Sequence, residues 1–183
     1  MPTLQAADSH VSVGSAVVSI PVGVVVERHK ANSTWSDFVW RPVAVLGGLP
    51  DANPWTQLAV AMETMSFYAG AAQIELYRSD AGSYRDNLAS AVPSVWIELL
   101  GTAGDPPYEI GAVTVDPAEA EALAAGSGIV EAVPMPNSVH EVVASFIAKH
   151  HVERTFEKRA RNRADPEALA RRDPSNRRGD ADE

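Results

Sequence analysis

The sequence predicts an α+β fold: a curved, mainly antiparallel sheet or small barrel carrying a short helix and a C-terminal helix packed on it. Three observations predict it. Between Ile20 and Val115 the apolar residues alternate with polar ones or form short two-faced runs, as strands do. Turn-forming stretches such as Gly47-Gly48 and Gly101–Pro107 separate those runs. Two helix-start signals, Asp116-Pro117 and Ser138-Val139-His140-Glu141, fall late in the chain, after most of the strands.

The elements follow in order. Residues 1–14 are small and polar and read as a flexible lead-in to a single domain over 15–152. From Ile20, the side chains of Ile20, Val22, Val24 and Val26 point one way and Pro21, Gly23, Val25 and Glu27 the other. Pro21 suits an edge or a strand entrance. Phe38 to Leu46 has Trp40, Ala44 and Leu46 on one face and Val39, Val43 and Val45 on the other, which implies cover on both faces. Trp55 to Met65 reads equally as strand or helix. Phe67 to Tyr77 ends in the alternation of Ile74 and Leu76 with Gln73 and Glu75, and Tyr84–Leu88 reads as a turn. Val95 to Leu100 and Tyr108 to Val115 form a hairpin.

Asp116 offers an N-cap carboxylate, Pro117 a first helical residue and Glu119 the third, for a helix ending near Gly126. Ile129 to Val133 is a short strand closed by Pro134 and Pro136. In the last helix, about 138–151, Val139, Val142, Val143, Phe146 and Ile147 make one apolar stripe that should lie across the sheet. A pleckstrin-homology-like barrel capped by this helix fits the order.

Composition narrows the function classes. The 183 residues carry a net charge of −9 and are 45 % hydrophobic, enough for one core. The absence of cysteine excludes disulfides, thiolate metal sites and cysteine nucleophiles. The longest apolar stretch, Val11 to Val26, is interrupted by Pro21 and too short for a bilayer. No Lys or Arg precedes Arg28, which makes a signal peptide poor, so a cytoplasmic location is expected.

The charge is divided unevenly. Residues 1–152 hold six Lys and Arg against sixteen Asp and Glu, and 153–183 hold nine against eight. The segment 153–183 reads as a flexible Arg-rich tail in which Arg154, Phe156, Lys158, Arg159, Arg161 and Arg163 set an apolar anchor among cations, a candidate partner-binding run. Nucleic acid is a poor partner for so acidic a body.

No reaction motif is present: no nucleophile elbow, Walker loop or dinucleotide fingerprint occurs. No catalytic residue, cofactor or metal is implied. His140 and His150 are ten positions apart, about 15 Å along a helix, and cannot share an ion. His150 and His151 diverge around the helix and suit its C-terminus. An alternative to partner binding is a small-molecule-binding or enzymatic barrel with a pocket of Trp40, Arg41, Trp96 and Arg85. Arg41 interrupts an apolar strand, so it needs a carboxylate partner or an exposed position near the sheet rim.

Several strings carry a resemblance. Ile20-Pro21-Val22-Gly23-Val24, Trp40-Arg41-Pro42-Val43, Phe67-Tyr68-Ala69-Gly70, Tyr84-Arg85-Asp86-Asn87-Leu88, Pro93-Ser94-Val95-Trp96, Val115-Asp116-Pro117 and His150-His151-Val152-Glu153 are among them. Over about 18–172 the chain resembles a bacterial domain-of-unknown-function family often encoded beside molybdenum- or tungsten-dependent formate dehydrogenase genes. The resemblance implies a non-catalytic accessory protein that binds a dehydrogenase subunit or assembly factor, with no membrane contact. It supplies no catalytic residues.

Overall fold

The computed structural model describes residues 18–32 and 36–150. The chain divides into two units, Met1–His151 and Val152–Glu183, and every described residue belongs to the first. Among the described residues the fold is α+β, with seven strands, three α-helices and a short 3-10 turn at Arg78–Asp80.

Strands β1 (Val18–Lys30), β2 (Phe38–Leu46), β3 (Thr56–Ala61) and β4 (Thr64–Leu76) form one sheet in the order β2-β1-β4-β3. Strands β5 (Ser94–Gly101), β6 (Tyr108–Thr114) and β7 (Ile129–Pro134) form a second in the order β6-β5-β7. Every pairing is antiparallel. β2 runs beside β7 and β4 beside β6, so the two sheets face each other across one core. No closed barrel forms among the described residues: closure would pair β3 with a strand of the second sheet, yet all six β3 residues are exposed.

The core is valine-rich. Val22, Val24 and Val26 of β1, Ile74 and Leu76 of β4, and Val95, Ile97 and Leu99 of β5 are fully buried. Each such side chain contributes roughly 1.5–3 kcal/mol of burial. The alternation of β1 is as the sequence indicates, whereas that of β2 is not. Val26 pairs with Pro42 and Val25 with Ala44, so β2 holds one extra residue there. The bulge switches the inward face, and Trp40, Pro42 and Val45 are all buried. A matching irregularity in β4 lies between Tyr68 and Gly70. These bulges curve the sheet.

Two stretches differ from the sequence reading. Trp55–Met65 is neither one strand nor a helix: it is β3 followed by a turn at Met62, with Trp55 and Met62 both at positive φ. Tyr84–Leu88 belongs to helix α1 (Ala81–Leu88) rather than a turn. That helix includes Gly82, and its N-cap Asp80 makes no side-chain cap, so tertiary contacts hold it. Tyr84 is buried against Phe146, and its hydroxyl accepts a hydrogen bond from the Tyr77 amide at 3.1 Å. The division into two antiparallel sheets is consistent with the α+β, curved-sheet fold expected from the sequence.

Helix α2 (Pro117–Ala124) starts as its sequence dictates, with the Asp116 side chain accepting from the Ala118 amide at 2.9 Å. Helix α3 (Asn137–His150) buries Val139, Val143 and Phe146, packs on α1 and reaches β1.

Candidate interaction surface

Arg28 continues the inward parity of Val22, Val24 and Val26 and lies between Trp40 of β2 and Met65 of β4. It is half-buried at one end of the core. Its guanidinium stands 4.3 Å from the Phe38 ring centre, 5.5 Å from Trp40 and 5.6 Å from Phe67. Trp40 in turn meets Trp55 edge-on at 5.8 Å, Phe67 at 5.6 Å and Tyr108 of β6 at 6.1 Å. An aromatic plug joins the two sheets here, and Arg28 covers it. Outward from the plug lies a cleft of about 280 Å³ lined by Arg28, Lys30, Phe38, Met62, Glu63 and Met65.

Beside this cleft runs an edge of the first sheet. Among the described residues β3 pairs with β4 alone, and it is exposed along its whole length. Leu58 and Val60 are 49 % and 55 % exposed, and Met62 at the turn is wholly so. Residues 52–62 contain no Asp, Glu, Lys or Arg. An unpaired edge of this kind invites another strand, which is why sheet edges usually carry charge or proline.

A second polar cluster lies where α1 and α2 meet the second sheet. The Asn87 amide nitrogen donates to the carbonyls of Ser94 and Val115 at 2.8 Å each, and its oxygen accepts from the Ser94 amide at 3.0 Å. Ser83 donates to the Asp116 carboxylate in a close contact, and Thr114 donates to Glu119 at 2.6 Å. Among the described residues no buried side-chain nitrogen or oxygen lacks a partner, so this cluster acts as a structural junction. A neighbouring cleft of about 240 Å³ holds Glu75, Tyr77 and Glu119. The Tyr77 hydroxyl donates to Glu75, and that bond, aided by partial burial and nearby carboxylates, pushes its pKa up to about 12. Burial pushes Tyr84 up to about 12 as well.

The residues singled out from the sequence are placed as follows. Trp40 lies in the aromatic plug. Trp96 alternates with the buried Val95 and Ile97 and occupies the opposite face of β5. Arg41 is 59 % exposed and pairs with Glu131 of β7 at 3.6 Å, meeting both the expected rim position and the expected carboxylate. Arg85 lies exposed on α1 and pairs with Asp86 at 3.1 Å. The structure spreads these four over three elements, with Trp40 and Arg41 on opposite faces of β2, Trp96 on β5 and Arg85 on α1, and none lines the clefts above. His140 and His150 lie towards opposite ends of α3, with His150 against Phe146 at 4.6 Å. No group of three His, Asp or Glu side chains is gathered for a metal among the described residues. His151 and the run Arg154, Phe156, Lys158, Arg159, Arg161 and Arg163 lie outside the described residues. No described helix is long and apolar enough to cross a membrane.

Sequence reasoning passed over Arg28, Phe38 and β3. The signal for Arg28 was available: carrying the β1 alternation one step past Val26 turns this cation inward. For β3, the uncharged stretch 52–62 was visible, but its edge position depends on the long-range β1–β4 pairing.

No curated protein and no solved structure matches the chain. A family model does, over residues 21–160, under the description "Protein of unknown function (DUF3305)". That span takes in every strand but the first residues of β1, all three helices and most of the basic run, and the chain belongs to this family.

Proposed function

We propose that this protein is a non-catalytic accessory protein whose body docks an extended segment of a partner protein as an added strand on β3. The observation that carries the reading is the β3 edge: exposed throughout, uncharged, and ending at the exposed apolar Met62. Strand addition takes its affinity from main-chain hydrogen bonds and its selectivity from alternate side chains, here around Leu58 and Val60. The partner class comes from the resemblance noted in the sequence: a subunit or assembly factor of a molybdenum- or tungsten-dependent formate dehydrogenase system. A cytoplasmic setting fits that role. The basic run from Arg154 to Arg163 speeds encounter with an acidic surface of the partner and makes capture sensitive to salt.

The test is affinity capture of the full chain from its own host during formate-dependent growth. Wild type recovers a dehydrogenase subunit or assembly factor. Leu58→Lys with Val60→Lys, both at exposed positions, loses it while the protein stays folded. Recovery of neither class of protein by wild type contradicts the partner assignment, and undiminished capture by the double variant contradicts the docking edge.

A further inference from the structure

We propose that the cleft over Arg28 is a carboxylate-binding site, which anchors an acidic side chain of the segment docked on β3; in this it rests on the strand-addition reading. The three aromatic rings occupy the neighbourhood of the guanidinium faces and hold it in place. The acceptor its edge meets is the Met65 sulfur, at 2.8 Å. A thioether is a weak acceptor for a group with five N–H donors. Among the described residues no carboxylate is within ion-pair distance of Arg28: Glu27, next in the chain, turns to His29 at 3.2 Å, and Glu131 is taken by Arg41.

A carboxylate matches the fork of such a guanidinium in two parallel hydrogen bonds, a stronger acceptor than the thioether. Lys30 lies two residues further along β1 and lines the same cleft, while Glu63 supplies the one opposing charge. Two cations and one acid favour a single negative charge over a dianionic phosphate. The cleft of about 280 Å³ has room for a carboxylate on a short alkyl stem, with Phe38, Met62 and Met65 as walls for the stem. Met62 and Glu63 belong to the turn that ends β3, so a strand added along that edge runs past the wall of the cleft that they form.

The experiment is a nuclear magnetic resonance titration of the full chain, following the Arg28 side-chain N–H signal. Sodium acetate is compared with sodium chloride at equal ionic strength. A blocked, strand-forming peptide with one central glutamate is compared with its glutamine counterpart. Acetate shifts the signal saturably and chloride does not. The glutamate peptide binds at least about tenfold more tightly than the glutamine peptide, the usual worth of a charge-assisted hydrogen bond. Arg28→Lys, which keeps the charge but loses the fork, weakens acetate binding. Glu63→Gln, at an exposed turn position that leaves the plug intact, strengthens it. Equal responses to acetate and chloride, or a Glu63→Gln variant that binds acetate no better, overturn the site. Acetate binding with no preference for the glutamate peptide overturns its use by a docked segment. Failure of host capture with both titrations intact removes the partner assignment alone, so the two proposals fail separately.

Discussion

Replacing Asn87 by Ala tests whether the junction of α1 with the second sheet is held by side-chain hydrogen bonds. Asn87 is 3 % exposed and makes three of them, to the first residue of β5 and to Val115 just beyond β6. A net contribution of about 1 kcal/mol for each gives a loss of about 3 kcal/mol, because two carbonyls and one amide are left unpaired. For a domain of this size that lowers Tm by roughly 6–12 °C. Urea unfolding followed by tryptophan fluorescence measures it, with an unchanged dependence on denaturant showing that the folded state itself is preserved. Asn87→Asp keeps the acceptor for the Ser94 amide but sets a carboxylate against two carbonyls. It is destabilised at neutral pH and recovers as the pH falls, since burial raises that carboxyl's pKa in the folded state. An Asn87→Ala variant within about 0.5 kcal/mol of wild type refutes the junction as a structural lock.

Three further outcomes follow from the geometry. A double-mutant cycle on Arg41 and Glu131 returns a coupling below about 1 kcal/mol, because the pair spans β2 and β7 in solvent; a larger value shows a tighter strut between the sheets. In an alkaline ultraviolet titration Tyr77 and Tyr84 ionise near 12. Since their unfolded pKa is about 10, the folded state keeps its protons longer and stability falls as pH rises from about 10 towards 12; stability rising over that window contradicts the assignment. A chain ending at His151 retains every described element and melts cooperatively near the full-length temperature, and changing Arg154, Lys158, Arg159, Arg161 and Arg163 to Ser likewise spares Tm while weakening partner capture; loss of folding in either, or undiminished capture by the Ser variant, contradicts it.

The sequence was most legible where local chemistry decides structure. The Asp116 cap, the apolar stripe of α3 except for the exposed Val142, and the alternation of β1 translate directly into observed elements. It was least legible where pairing partners decide. The extra residue in β2 turns Val45 inward alongside Trp40, which a single alternation cannot show. Helix α1 has no capping bond and rests on Tyr84 and Asn87, whose partners lie on other elements. The candidate surface follows the same division: Arg28 is readable from strand parity, but its aromatic neighbours come from β2 and β4. Arg41 announced its need for a carboxylate, and only the fold shows that Glu131 answers it.

The claim that β3 receives a strand is tested most directly by amide hydrogen exchange of the full chain, alone and with the captured partner. In the free protein the outward amides of Thr56–Ala61 exchange fast, as expected for an exposed edge. Binding slows exchange there and leaves α3 unchanged. Protection confined to other elements contradicts the account, as does β3 protection that grows with protein concentration in the absence of any partner, which assigns the edge to a second copy of the chain.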